Sequence, residues 1–322
     1  MLSSSSPVRV ERVLRLAIAT ALTSIPVIGC FGGSCSVGGG EKFDVTFTPC
    51  APDAGASADG GACPSTCMDA CRQLMPATFA GREGFCEDVD AATIPMTPGT
   101  QVTVHCEALV NCTGRKLDGI AAPEGEWLAR SHGAWAARSH GAWAARAAWL
   151  EASAIFAFRR LVRELRAHGA PRSLIKAARA SARDEVRHAR LMRALAHERG
   201  FEIPPVPRVA LEIRDLESIA KENAVEGCVS ETYGAAVATW QGACASDPEI
   251  ARVMREIAPD EIRHAALGWA VNAWIHRRLS KDARDRVRAA RDEATRALLD
   301  ETRHAPEAHA LASAVAERLW AA

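Results

Sequence analysis

From about residue 124 onward, apolar residues recur at the three- and four-residue spacing of helices, and Ala, Arg, Leu and Glu dominate. Gly and Pro interrupt this pattern at a few places, and each interruption predicts a connection between helices. The interruptions delimit four helices and two further helical stretches, at 124–168, 172–199, 215–245, 248–279, 281–303 and 306–321. The longest connection contains Pro204, Pro205 and Pro207, and it could let one helix hairpin cross over to the next.

The part of the chain before residue 119 has a different pattern, with short segments between stretches rich in Gly, Ala and Ser. The segments 42–50 and 102–110 alternate apolar and polar residues, which predicts half-buried strands. We therefore expect a mainly α fold preceded by a small α+β module. The predicted boundaries are a leader at 1–29, the module with a flexible tether at 30–118, a helical bundle at 119–280 and a C-terminal helical extension at 281–322.

Cysteine is concentrated in the predicted module, where nine of the eleven Cys lie between residues 30 and 112. This density indicates a disulfide framework in an oxidising compartment. Cys63, Cys67 and Cys71 repeat every four residues, so on a helix they form one stripe, each able to reach a different strand. A metal site is the alternative for this stripe, but the two-residue spacing of zinc sites is missing. The pairing of the cysteines stays open.

The N-terminus has the pattern of an export leader. Three arginines precede the apolar run 16–28, which is too short to span a bilayer: Arg9, Arg12 and Arg15. The run ends in Val27-Ile28-Gly29-Cys30, which resembles the lipobox of bacterial lipoproteins. The resemblance implies that Cys30 carries lipid and anchors the protein in the cell envelope. Since Phe31 and not an acidic residue follows, we expect the outer membrane. A secretory peptide cleaved elsewhere is the alternative.

Charge excludes one class of partner. The formal net charge is zero, and no block of Lys and Arg stands without Asp or Glu nearby. A basic footprint for nucleic acid is therefore absent, and we expect no nucleic-acid partner.

Two octapeptides share six of eight residues: DEVRHARL at 184–191 and DEIRHAAL at 260–267. Each follows an upstream glutamate at a similar distance, because Glu151 lies 34 residues before Glu185 and Glu226 lies 35 residues before Glu261. An aromatic residue, Phe158 or Tyr233, follows each upstream glutamate by seven. The chain therefore contains an internal repeat of a helix hairpin, with Glu on its first helix and Glu-x-x-His on its second.

Residues three apart lie on one face of a helix, so the Glu and His of each Glu-x-x-His motif point the same way. Packed together, two such hairpins bring six ligands to the centre: Glu151, Glu185, His188, Glu226, Glu261 and His264. Four buried carboxylates carry a charge of −4, which two divalent cations would neutralise. Carboxylate and imidazole ligands suit iron, with manganese as the alternative. Glu222 and Glu231 are rivals to Glu226, which the repeat alignment favours.

The segment 125–279 resembles the ferritin-like di-metal carboxylate superfamily through these two Glu-x-x-His motifs and their upstream glutamates. The resemblance implies a four-helix bundle with two metal ions, and an oxidase or oxygenase that uses O₂ or peroxide. The alternative is a non-catalytic, metal-binding or structural lipoprotein.

Residues beside the predicted ligands complete the expected site. A metal-bound His usually donates its other N–H to a carboxylate, so Asp184 and Asp260 could each hold the His of the opposite half. Arg187 and Arg263 would pair with nearby acidic groups, although solvated helix charges are the alternative for all four. A redox role is conceivable for Tyr233, but core packing is favoured because its counterpart Phe158 has no hydroxyl.

The lipobox predicts the fate of Cys30. We expect Cys30→Ser to abolish incorporation of labelled palmitate and to move the protein out of the membrane fraction, because the serine hydroxyl does not replace the lipid-accepting thiol. Cys35→Ser, five residues further on, is the matched control and should remain labelled. Undiminished labelling of the Cys30 variant would contradict the lipobox assignment.

Overall fold

The structure is a computed structural model that describes residues 6–23, 41–50, 64–74, 83–86, 96–109, 135–207, 212–303 and 306–320. Cys30, most of the predicted tether around it and residues 119–134 of the predicted bundle lie outside these ranges. The described part is mainly helical, with one small antiparallel sheet.

The small module contains the sheet and a short helix. Two strands lie where alternation predicts them, β1 at Glu41–Phe47 and β3 at Val102–Leu109. β2 at Glu83–Cys86 pairs with the other edge of β3 and was not predicted, because four residues hold too little alternation to be recognised. The sheet order is β1-β3-β2, and both pairings are antiparallel.

Helix α2 (Cys67–Gln73) is tied to this sheet by two disulfides. Cys67 bonds to Cys86 on β2, and Cys71 bonds to Cys106 on β3. Cys86 and Cys106 face each other across the two strands, so cysteines one helical turn apart reach neighbouring positions on the sheet. The prediction that the cysteine stripe reaches different strands is confirmed for these two pairs.

Two helix hairpins form the bundle. The first consists of α3 (Trp135–Ala167) and α4 (Arg172–Glu198). The second begins with α5 (Leu216–Glu222), continues through a π-helical segment (Asn223–Ser230) into α6 (Glu231–Cys244), and returns as α7 (Pro248–His276). Helix α3 packs on α4 and α6 packs on α7, while α4 and α7 join the two hairpins.

The predicted breaks are where these helices end. Gly169 has φ of +68°, a conformation that favours Gly, and it ends the first helix of the first hairpin just before Pro171. Asp247 caps α7, accepting hydrogen bonds from the backbone amides of Glu249 and Ile250, with Pro248 in the first turn. Local sequence thus determines the length of each hairpin arm.

Two apolar clusters fill the bundle, one toward each end. One includes Trp149, Met192 and Ile257, and the other includes Phe158 and Trp274. Each cluster takes residues from α3, α4 and α7. Along these helices, the predicted ligands lie between the two clusters, which therefore separate the centre of the bundle from water at both ends.

Three further helices cover the second hairpin. Helices α8 (Lys281–Thr302) and α9 (Pro306–Val315) pack on the π-helical segment and on α6, respectively. The leader region forms α1 (Pro7–Thr23), whose apolar face lies on α7, α6 and α9. None of the helices in the described ranges is long and apolar enough to cross a bilayer. Cleavage of the leader stays a prediction.

The cap of α7 generates a stability prediction. Asp247 also pairs with Arg199 of the first hairpin, so Asp247→Ala loses both cap and ion pair and should lower the free energy of unfolding by about 1–2 kcal/mol. Asp247→Asn keeps a capping oxygen and should cost less. Burial raises the pKa of Asp247, but the Arg199 guanidinium and the two capped amides outweigh burial and bring this pKa below its usual value.

Because the folded-state pKa is depressed, the advantage of Asp247 over Asn should be complete above about pH 4 and should vanish as the pH falls through the folded pKa. Urea unfolding of both proteins across this range measures the difference. An advantage that grows on acidification would contradict the assignment.

Candidate metal centre

Four buried side chains meet between α4 and α7. Glu185, His188, Glu261 and His264 each place one ligand atom within 4.8 Å of the others. None of the four is more than 7% exposed. The two Glu-x-x-His motifs therefore face each other across the helix pair that joins the hairpins, as the internal repeat predicts.

Each imidazole lies nearest to the glutamate of the opposite motif. His188 Nδ1 is 3.0 Å from Glu261 Oε1, and His264 Nδ1 is 3.0 Å from Glu185 Oε1. The glutamate of the same motif is further away, at 3.8 Å for His188 and 3.7 Å for His264. Both carboxylates thus lie between the two imidazoles, in an approximately two-fold arrangement.

The first helix of each hairpin adds one carboxylate. Glu151 Oε2 on α3 lies 3.6 Å from His188 Nδ1, and Glu231 Oε2 on α6 lies 4.0 Å from His264 Nδ1. Glu231 is 1% exposed. The structure therefore brings together five of the six predicted ligands, and it adds Glu231, which ranked behind Glu226 in the sequence.

Glu226 lies in the π-helical segment, one wide turn before Glu231, and is partly exposed. Its backbone carbonyl accepts the amide hydrogen bond of Glu231. A ligand role for Glu226 stays a prediction. Glu222, the other rival, is engaged elsewhere, because its carboxylate pairs with Arg160 and lies 2.5 Å from the guanidinium of Arg214.

Glu185, His188, Glu261 and His264 form a quartet whose potential metal-ligating atoms point toward one another without making hydrogen bonds. Among the described residues, four such atoms are buried and lack a hydrogen-bond partner: Glu185 Oε2, His188 Nδ1, Glu261 Oε1 and His264 Nδ1. Leaving buried polar atoms unsatisfied costs about 1–3 kcal/mol each. A set of carboxylate oxygens and imidazole nitrogens aimed at one centre fits iron or manganese, whose coordination would satisfy all four.

Ionisation of the quartet indicates a site that needs positive charge. Burial and the nearby Glu151 carboxylate raise the pKa of Glu185 well above its usual value. Burial lowers the pKa of His188, but the carboxylates of Glu151 and Glu261 outweigh it and raise that pKa to about 10. The pKa of His264 is also raised, against burial, by Glu261 and Glu185. The nearby carboxylates thus favour positive charge at both imidazoles.

The outer nitrogens of the imidazoles face two aspartates. His188 Nε2 lies 3.2 Å from Asp260 Oδ2, and His264 Nε2 lies 3.6 Å from Asp184 Oδ2. Each aspartate thus belongs to the opposite motif, the cross-pairing expected from sequence. Asp260 can accept from His188 Nε2–H, which leaves the Nδ1 lone pair of His188 available for a metal. His264 Nε2 lies beside Asp184 without a hydrogen bond.

Two arginines close this side of the site. Arg187 and Arg263 each pair with both Asp184 and Asp260; the distances to Asp184 are 3.3 Å and 3.2 Å. Although burial raises the pKa of Asp184, His264 and Arg263 lower it to about 2. Asp184 therefore remains charged beside His264, while the half-exposed arginines face solvent.

The two aromatic residues of the repeat lie in different surroundings. The Phe158 ring is 5.1 Å from the His264 ring, next to the quartet. The Tyr233 hydroxyl donates to the backbone carbonyl of Ala308 on α9, at 3.4 Å, and its side chain lies in the apolar cluster that also contains α1. A redox role for Tyr233 stays a prediction.

Sequence reasoning missed a buried ion-pair group beyond the quartet. Arg214, from the crossover, contacts Glu164 at 2.7 Å as well as Glu222, and Arg160 of α3 pairs with Glu222. These partners are 50 or more residues apart except for Arg214 and Glu222, so no local spacing links most of them. The group attaches the crossover and α5 to α3.

No family model, curated protein sequence or solved structure matches this chain.

Matched glutamate substitutions test the ligand set. We expect Glu185→Gln to abolish binding of ferrous iron, because this carboxylate lies between both imidazoles. Glu231→Gln should lower the number of bound ions from two to about one, because it removes one of the four carboxylates that balance them. Anaerobic loading, desalting and elemental analysis measure the stoichiometry.

Glu226→Gln is the control for Glu231→Gln, since it makes the same chemical change five residues earlier. It should bind as much iron as the unmodified chain. Loss of iron from the Glu226 variant with full retention by the Glu231 variant would restore the assignment made from the repeat.

Proposed function

We propose that this chain is an envelope-anchored, ferritin-like protein that binds two iron ions and reacts with O₂ or peroxide. The observation that carries the proposal is the buried quartet of Glu185, His188, Glu261 and His264, whose donor atoms converge without hydrogen bonds. Isolated ion pairs between a carboxylate and an imidazole do not require several ligand atoms that converge on one point, whereas a metal centre does.

The charge of the site supports a pair of divalent ions. With Glu151 and Glu231 added, four carboxylates surround two imidazoles, and two divalent cations balance them when the imidazoles are neutral. One ion would be held by Glu151 and His188 and the other by Glu231 and His264. Glu185 and Glu261 lie near both imidazoles and would complete the set of carboxylates that holds the ions.

The length of the second hairpin supports Glu231 as the sixth ligand. Glu231 lies 13 residues before the end of α6 at Cys244, and Glu261 lies 13 residues after the start of α7 at Pro248. In an antiparallel hairpin, equal distances from the turn put two residues at the same level. Glu226 lies five residues further from the turn, about 7 Å along the axis.

Two ferrous ions at this site would supply two electrons, which with two protons from solvent would reduce O₂ to hydrogen peroxide or hydrogen peroxide to two waters. The chain's own residues would bind and orient the ions through carboxylates and Nδ1, while Asp260 holds Nε2 of His188 and Asp184 lies beside Nε2 of His264. The apolar clusters at both ends of the bundle exclude water, which strengthens every electrostatic interaction inside.

The proposed location is the cell envelope, with Cys30 as the lipid anchor. The support is the lipobox pattern together with the two disulfides of the module, because disulfides persist in oxidising compartments outside the cytoplasm. The proposal therefore concerns a tethered redox protein.

The redox activity is testable with the ferrous protein. We expect anaerobically loaded protein to gain ferric absorbance in the near ultraviolet within seconds of mixing with hydrogen peroxide or O₂, because both ions lie in one site. The Glu185→Gln variant is the control and should show only the background of free iron. Stopped-flow absorbance with both proteins gives the comparison.

Two bound irons without any absorbance change would contradict the oxidase proposal and favour a metal-binding or structural lipoprotein. No bound iron at all would contradict both.

A further inference from the structure

Helix α6 continues a π-helical segment, and this segment determines which way Glu231 points. In the π-helix the amide of Glu231 bonds to the carbonyl of Glu226, five residues back. In an α-helix that amide would bond to the carbonyl of Gly227. Because the hydrogen-bonded turn that ends at Glu231 contains one residue more than an α-helical turn, all following residues are rotated by about 100° relative to a continuous α-helix. The direction of the Glu231 carboxylate therefore depends on the π-helix.

The carbonyl of Gly227 is turned toward α7 instead. A Cβ on Gly268 would overlap this carbonyl oxygen, and a Cβ on Gly227 would lie 3.1 Å from Gly268 Cα. The two backbones can touch because both residues are glycine. Gly268 is one turn beyond His264 on the same helix face, so the contact between the two glycines lies one helical turn from the quartet.

Two side-chain hydrogen bonds hold this contact, one on each side of Glu226–Glu231. Asn223 Nδ2 donates to the backbone carbonyl of Gly268 at 2.8 Å, and Trp269 Nε1 donates to Thr232 Oγ1 at 3.1 Å. Asn223 and Thr232 are fully buried. Because π-helices are rare and need tertiary support, these bonds are placed where they can keep the helix from relaxing to the α form.

We propose that Asn223 and Thr232 are positioning residues for the metal centre: by binding to Gly268 and Trp269 of α7, they keep the segment π-helical and the Glu231 carboxylate beside His264. The inference rests on the proposed function, in which Glu231 is a ligand. Neither residue is assigned contact with the metals. The first helix of the other hairpin is α-helical through Glu151, so positioning of a glutamate by a π-helix occurs in one half of the site alone.

The test is a double-mutant cycle read by cobalt binding. Anaerobic titration of the full chain with Co²⁺ against a chelator gives affinities, and the visible absorption band of bound Co²⁺ reports its ligands. We expect Asn223→Ala to weaken the binding of one ion by about 10- to 100-fold, the usual effect of residues that orient a ligand. The visible band should change in the same way as in Glu231→Gln.

In the Glu231→Gln background, Asn223→Ala should leave the affinity for the remaining ion unchanged, since the carboxylate it positions is already gone. An equal loss in both backgrounds, or no loss in the unmodified chain, would overturn the inference. Failure of the unmodified chain to bind Co²⁺ would instead overturn the proposed function.

Thr232→Val and Thr232→Ser test the second hydrogen bond, because the first removes the hydroxyl at nearly constant side-chain volume and the second removes the methyl group but keeps the hydroxyl. The valine variant loses the acceptor for Trp269 and should repeat the cobalt phenotype, whereas the serine variant keeps the hydroxyl and should restore the unmodified band. Thr302→Val is the control, because Thr302 is equally buried but bonds to a carbonyl within α8. If the Thr302 variant changed cobalt binding in the same way as the Thr232→Val variant, the effect would come from a general loss of stability. That result would overturn the inference.

Discussion

The approach of two buried glutamates to two buried histidines between α4 and α7 is the constraint on which the bundle depends. Their charges cannot be left alone in an apolar interior, because burying an ionised carboxylate costs several kcal/mol even after relaxation. The carboxylates favour positive charge beside them, which protons on the imidazoles or divalent ions can supply. The apolar clusters on both sides make this balance necessary, since they remove the water that would otherwise solvate the charges.

Around this centre the two halves of the chain are alike but not identical. The second helices, α4 and α7, carry the same motif and form the two-fold part of the site, including the cross-paired aspartates. The first helices differ, because α3 reaches Glu151 as a regular α-helix while α6 reaches Glu231 only after a π-helical segment. Helices α8, α9 and α1 pack mainly on the second hairpin, which contains that segment.

Much of the fold was predictable from local signals. Gly169, Pro171, Asp247 and Pro248 mark helix ends because a positive φ, a missing amide and a capping carboxylate act within one turn. The spacing of Glu185 and His188 puts both on one helix face for the same local reason. The cysteine stripe of α2 likewise followed from helical spacing, whereas its partners at residues 86 and 106 depended on how the strands pair.

The sequence by itself thus determined most of the helices and the two Glu-x-x-His motifs that form the candidate metal site. Only the tertiary structure decided which upstream glutamate approaches His264. The repeat aligns Glu226 with Glu151 and Tyr233 with Phe158, on the assumption that both first helices are regular. The contact of Gly227 with Gly268 breaks that assumption, because it turns one carbonyl out of the α-helical pattern and rotates everything after it. This contact joins residues 41 positions apart, and the helical periodicity of the sequence, which reflects spacings of three and four residues, does not reveal it.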